Sequence, residues 1–262
     1  MTQPMTAIIK KDIQSITANR RMFSTLLIVP IMLSVFIPTV FILVFHFVPQ
    51  ESNDLEQLLR LLPAAFEGGD LSRNVIYLLL NFILPVFFLI IPIMAATVMS
   101  ATSFVGEKEK KTLETLLYCP LSLKQIFRSK VLASFLLSML VSGISFVVML
   151  AVLETEAMLI TGGFVLPDVK WALILLLVSP AISLIAITLI VRGSAKSQSM
   201  EDAQQHALFL LLPVLGLLIS QFTGVLFVSA FLLLGLGLVC ALLAAWLLQR
   251  SVKGFRYETL LK

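Results

Sequence analysis

From Met22 to Val48 the chain runs without a single Lys, Arg, Asp or Glu. About 20 apolar residues in a row are what a helix needs to cross the hydrocarbon of a bilayer. Inside lipid the backbone has no water to bond, so a segment of this kind has to satisfy its own N–H and C=O groups as a helix. Five more uncharged runs follow, at about Val75–Phe104, Val131–Leu153, Trp171–Val191, Ala207–Ser220 and Val225–Leu248. Charged residues make up only 13% of the 262 residues and mean hydropathy is +1.03, so too little polar surface exists to coat a soluble globule. The sequence predicts an all-α membrane protein: one domain over residues 1–262, with six transmembrane helices. The fifth run is short and contains Pro213, so a tilted, broken or re-entrant element is expected there. The turn-forming stretch Gln221–Gly224 joins it to the sixth run as a hairpin.

The basic residues set the orientation. Of 19 Lys and Arg, all but Arg60, Arg73 and Lys170 fall in Met1–Arg21, Val105–Lys130, Arg192–His206 or Gln249–Lys262. Loops rich in Lys and Arg stay in the cytoplasm, which puts both termini on the cytoplasmic side and the acidic segment Pro49–Asn74 outside; the membrane expected is a prokaryotic inner or plasma membrane. The surplus of basic residues is explained by topology and needs no nucleic acid. Met1–Arg21 is expected to be no signal peptide, because the run after it is too long and closes on no cleavage site. Ile9, Ile13 and Ile16 form a stripe with Lys10, Lys11 and Asp12 off it, which predicts an amphipathic helix on the cytoplasmic membrane surface. In the outer segment, Asn53 and Glu56 resemble a capping box ahead of an apolar face at Leu55, Leu58, Leu59 and Leu62.

The runs also exclude functions. Proton- and ion-coupled carriers need ionisable groups at membrane depth, and none of the six runs holds an acid or a strong base. His46 and Asn81 read as packing or hydrogen-bonding residues. A self-contained channel or secondary carrier is therefore the weaker alternative. Cys119 and Cys240 have no partners at metal-ligand spacing, and no HExxH or GxSxG motif is present, so no metal site and no catalytic residues are expected. Ser134, Ser138 and Ser142 recur every four residues in the third run, and Gly237, Ala241 and Ala245 do so in the sixth, which suits close helix packing.

The most polar stretch lies between two of the most apolar. In Gly106–Lys130, Glu107 precedes Lys111 by four residues and Lys110 precedes Glu114 by four, both at helical spacing. Leu113, Leu116 and Leu117 give that helix an apolar face. Pro120 stops it. Ser122 with Gln125 then forms an S-x-x-Q capping box, with Leu121 placed to staple onto Ile126. The second helix carries Lys124, Arg128 and Lys130 into the third run. The apolar face needs a place to bury, and physics alone leaves two open: the lipid interface or underside of the bundle, or a groove on a partner protein.

This stretch resembles the central signature of the ABC-2 type permeases, the membrane subunits of a large class of ABC transporters. The resemblance is carried by Glu107, Glu109, Thr112, Leu113, Glu114, Leu117, Pro120, Ser122 and Lys130, while Lys111 and Ser129 stand where the family often has Gly. It implies a coupling helix at Glu107–Leu117 that docks on a separate ATPase, with Glu107, Glu109, Lys110, Lys111 and Glu114 in contact. It further implies two ATPases and two membrane subunits, as homodimer or heterodimer. Spans two and five would line a path between the membrane subunits. ATP and Mg would be bound by the ATPase, and this chain would bind no cofactor. Export is the expected direction, and uncharged spans favour an amphiphilic or hydrophobic cargo (a peptide, drug or lipid), with an ion as a further option.

Overall fold

The computed structural model describes residues 3–47, 71–109, 121–194, 197, 199–223 and 229–254. Helix α1, Gln3–Ala18, leads through Asn19 into α2, Arg20–Phe47. Rod α3 is α-helical over Leu71–Leu78, π-helical over Leu79–Ile83, then α-helical over Leu84–Phe88 and Ile90–Glu109. Helix α4 is Leu123–Thr161. Rod α5 repeats the pattern of α3, with Val169–Leu173, a π turn at Ile174–Val178, and Ser179–Gly193. Helix α6, Met200–Ala207, passes through the 3₁₀ turn Leu208–Leu210 into α7, Leu211–Phe222, and α8 is Ala230–Gly254. Among the described residues there is no strand.

Among the described residues, five helices are long and apolar enough to cross a membrane: α2, α3, α4, α5 and α8. The fifth expected run, Ala207–Ser220, is not among them. At 12 residues α7 rises only about 18 Å, short of the roughly 30 Å of hydrocarbon. The third span is much longer than the Val131–Leu153 read from sequence. At 39 residues α4 rises about 58 Å and takes in Lys124, Arg128 and Lys130 at one end, Glu154 and Glu156 at the other. Charge does not stop it because the acids have partners. Glu154 accepts the Val165 N–H at 3.1 Å, and the Thr39 hydroxyl of α2 donates to Glu156 at 2.6 Å. From Lys130 to Glu154 the helix rises about 36 Å without a charge, so both groups sit at the margins of the hydrocarbon. Gly162 ends it in the left-handed region at φ 67°.

Rod α3 is the central helix, with most of its apolar stretch buried, whereas α2 and α8 leave most of theirs open. Phe36, Val44, Leu176, Phe231 and Leu242 are among the large apolar side chains on the outside, an arrangement suited to lipid as solvent. The core is thickest away from the basic end, where Phe88, Phe146 and Trp171 meet at 5.0–6.0 Å between ring centroids.

Both π turns stop two residues short of a proline, Pro85 or Pro180. Proline has no N–H, so carbonyls one turn earlier lose their helical donor and need another. In α3 the replacements are side chains. Trp171 Nε1 donates to the Leu80 carbonyl at 3.0 Å, Lys170 Nζ to Asn81 at 3.3 Å, and Gln221 Nε2 to Phe82 at 3.0 Å. Asn81 then fastens the 162–168 loop: its Oδ1 accepts the Asp168 N–H at 2.7 Å and its Nδ2 donates to the Leu166 carbonyl at 3.3 Å. Thus α3, the start of α5 and the end of α7 lock together at the end opposite the basic one.

Close packing of α8 on α5 depends on Gly237. A Cβ there would sit 2.7 Å from Leu177 Cδ2. The packed stripe of α8 runs through Leu233, Gly237, Ala244 and Ser251, with Ala241 half-buried. Ala245 is exposed, which corrects the expected Gly237, Ala241, Ala245 ridge. Steps of four alone rotate off the face of a 3.6-residue helix, so a packed stripe must alternate threes and fours. On α4, Ser134, Ser138 and Ser142 are all buried, and Ser138 and Ser142 bond carbonyls of their own helix at 2.9 Å. The predicted outer helix near Asn53–Leu62 lies outside the described residues.

Candidate functional site

The basic end gathers the start of α4, the end of α3 and the inner face of α1. The apolar stripe of α1 is turned into the protein: Ile16 packs with Leu26, Ala95, Met99, Leu137 and Val141, and Ile8 packs with Ile126. This corrects two readings. The stripe faces the bundle, and Asp12 lies on it rather than beside it, only 6% exposed. Its place follows from spacing, three residues after Ile9 and four before Ile16.

Asp12 belongs to a buried ionic cluster. Lys130 of α4 is 2% exposed, yet keeps its charge company on every side. Its Nζ lies 2.8 Å from Glu107 Oε2 and 3.6 Å from Asp12 Oδ2, and it donates to the Ser103 carbonyl. The Ser103 hydroxyl donates to Asp12 Oδ2 at 2.8 Å. Lys11 donates to Glu107 Oε1 at 2.6 Å from a half-exposed position. The Phe104 ring lies 5.6 Å from the lysine nitrogen. A buried charge is tolerable only when paired and hydrogen-bonded, and here two lysines meet two carboxylates. A recess of about 230 Å³ beside Lys11, Ser103 and Glu107 opens onto the cluster.

This geometry changes the standing of one expected docking residue. Glu107 is inside, fastening α3 to α4 and α1, because α3 continues unbroken to Glu109 and turns that side chain inward. Glu109 is exposed. Lys110, Lys111, Thr112, Leu113, Glu114, Leu117 and Pro120 lie outside the described residues. On the far side of that segment, Ser122 caps α4. Its Oγ accepts the Gln125 N–H at 3.4 Å and Gln125 Oε1 accepts the Ser122 N–H at 3.0 Å. Leu121 packs against the Ile8 and Ile126 pair. The described residues that flank 110–120 are thus Glu109, two residues past Glu107, and Leu121, at the capped start of α4.

A second concavity, of about 480 Å³, opens between α2, α3 and α6. Leu26, Val29, Met94 and Val98 make its walls, and Asn19, Glu201 and Gln204 bring polar groups to its basic end. Sequence reasoning missed the ionic cluster. Its one available signal was an acid set among the isoleucines of an amphipathic stripe.

Residues 6–232 match a family model described as ABC-2 family transporter protein. No curated protein and no solved structure matches the chain.

Proposed function

The chain belongs to the ABC-2 transporter family, whose members are multi-pass membrane subunits of ABC transporters, and from that premise we propose how this one works and what it carries. It is an exporter subunit driven by a separate ATPase that docks on the basic end. The basic end faces the cytoplasm, by the asymmetry of Lys and Arg. Exposed Glu109 and residues 110–117, with Glu114 central, form the docking surface, and Glu107 anchors that surface from within. ATP and Mg are bound by the ATPase. Two such ATPases act on two membrane subunits.

The observation that carries this reading lies in the two described flanks of residues 110–120. On one side α3 ends two residues past Glu107, which is paired with the buried Lys130, and on the other α4 begins at a capping box. Force applied between these flanks enters α3 and α4 directly. The cargo is amphiphilic: the groove between α2, α3 and α6 has apolar walls and a polar rim, and its volume is of the size that small-molecule sites use. Uncharged helix interiors give no means of ion coupling, which disfavours a carrier that powers itself.

The test is purification with the cognate ATPase. The native chain is expected to co-purify and to stimulate ATP hydrolysis. Glu114→Lys is expected to insert normally and to lose both. Retention of both by that variant would remove 110–117 from the docking role.

A further inference from the structure

Three cations stand on the first two turns of α4, and the structure treats them differently. Lys130 is turned inward and neutralised. Lys124 and Arg128, four residues apart on one face, are exposed and have no acidic partner among the described residues. They overhang a groove of about 620 Å³ between α4, α5 and α8, with Met5 of α1 at its edge. Below the cations its lining is apolar, with Val131 and Phe135 from α4, Leu184 from α5 and Leu248 from α8. Phe135, Leu184 and Leu248 are half-buried against the core cluster of Phe127, Ala186 and Ile187, so the floor is fixed protein. The groove exists because α8 packs mainly on α5 and touches α4 little.

We propose that this groove binds an anionic phospholipid of the cytoplasmic leaflet, the phosphate between Lys124 and Arg128 and the first acyl carbons on Phe135, Leu184 and Leu248. The order of groups matches the order of a lipid. Cations lie at the rim, and apolar side chains begin one turn further into the membrane, about 5 Å along the helix. Basic pockets between helices on the cytoplasmic side recognise lipid headgroups in this manner. Positive charge at a helix end alone would orient the helix and no more. Here the charge has no acidic partner among the described residues, is doubled on one face and is set over a cavity.

Native mass spectrometry of the purified full chain tests this, by titration with phosphatidylglycerol or phosphatidylcholine. Two cations at the surface predict about thirtyfold tighter binding of the first phosphatidylglycerol. Lys124→Gln with Arg128→Gln changes two exposed residues and is expected to abolish the preference. Leu184→Trp keeps both cations, fills the groove and is expected to weaken lipid binding. Lys10→Gln, an exposed cation on α1, is expected to leave the preference intact. Equal binding of the two lipids overturns the proposal, as does a preference that survives the double variant or is lost in Lys10→Gln. Displacement of phosphatidylglycerol by equimolar inorganic phosphate also overturns it, because the site would then read a free anion.

Discussion

Replacing Lys130 by methionine removes the hub of the buried cluster while keeping most of the side-chain volume. At an effective dielectric of about 20, unit charges attract by about 6 kcal/mol at the 2.8 Å to Glu107 and about 5 kcal/mol at the 3.6 Å to Asp12. Most of that gross attraction offsets the desolvation of three ions, so the cluster itself adds little net stability. Its removal in part is different. Lys130→Met leaves the Asp12 and Glu107 carboxylates without their shared buried cation, and breaking a buried pair in this way costs about 3–5 kcal/mol. Lys11 is half-exposed on its side chain, so Lys11→Met costs at most about 1 kcal/mol. Adding Glu107→Gln to Lys130→Met removes one of the stranded charges and recovers about 1–3 kcal/mol. The assay is thermal unfolding of the detergent-purified chain at one scan rate, since membrane proteins commonly unfold irreversibly. A drop of at least about 6 °C is expected for Lys130→Met, against about 2–4 °C per kcal/mol. Equal midpoints for Lys130→Met and Lys11→Met, or strict additivity of the double variant, would refute the reasoning.

Other expected outcomes are as local. Asn81→Leu strips the Asp168 N–H and the Leu166 carbonyl of their partners, at about 1–3 kcal/mol, and is expected to speed protease cleavage within 162–168. Gly237→Leu overpacks α8 against Leu177 and Val178 and is expected to cost about 1–3 kcal/mol, read as a lowered unfolding midpoint, while Ala245→Leu on the exposed side leaves it unchanged. Ser122→Ala removes the acceptor at the start of α4 and is expected to cost about 1 kcal/mol in the same assay.

Much of the architecture was legible because lipid imposes a crude rule: a long uncharged run must be a helix. The same rule misled at the ends. Reading Leu153 as a terminus followed from the Glu154 charge, but Thr39 and the Val165 N–H give the acids of α4 partners no linear pattern reveals. The shortness of α7 was signalled by Pro213 and a brief run. At the basic end, Ser122 and Gln125 stand three apart, and a capping box is a device that spacing alone can flag. The Asp12, Glu107 and Lys130 cluster was not visible, because it joins residues 91 or more positions apart or separated by a whole turn of the chain, and only the fold brings α1 under α3 and α4. Glu107 thus looked like one of a row of surface charges. The π turns show the intermediate case: Pro85 and Pro180 marked where backbone groups would be freed, while the identities of Trp171, Lys170 and Gln221 as partners of those before Pro85 needed three dimensions.

Docking of an ATPase on residues 109–117 is tested most directly by site-specific photo-crosslinking in the assembled transporter. A photoreactive residue in place of Glu114 is expected to join this 28.9 kDa chain to the ATPase in a single adduct, and one in place of Glu156, at the opposite end, is expected to give none. A transport-competent complex that yields no adduct from position 114, or the same adduct from position 156, would contradict the account.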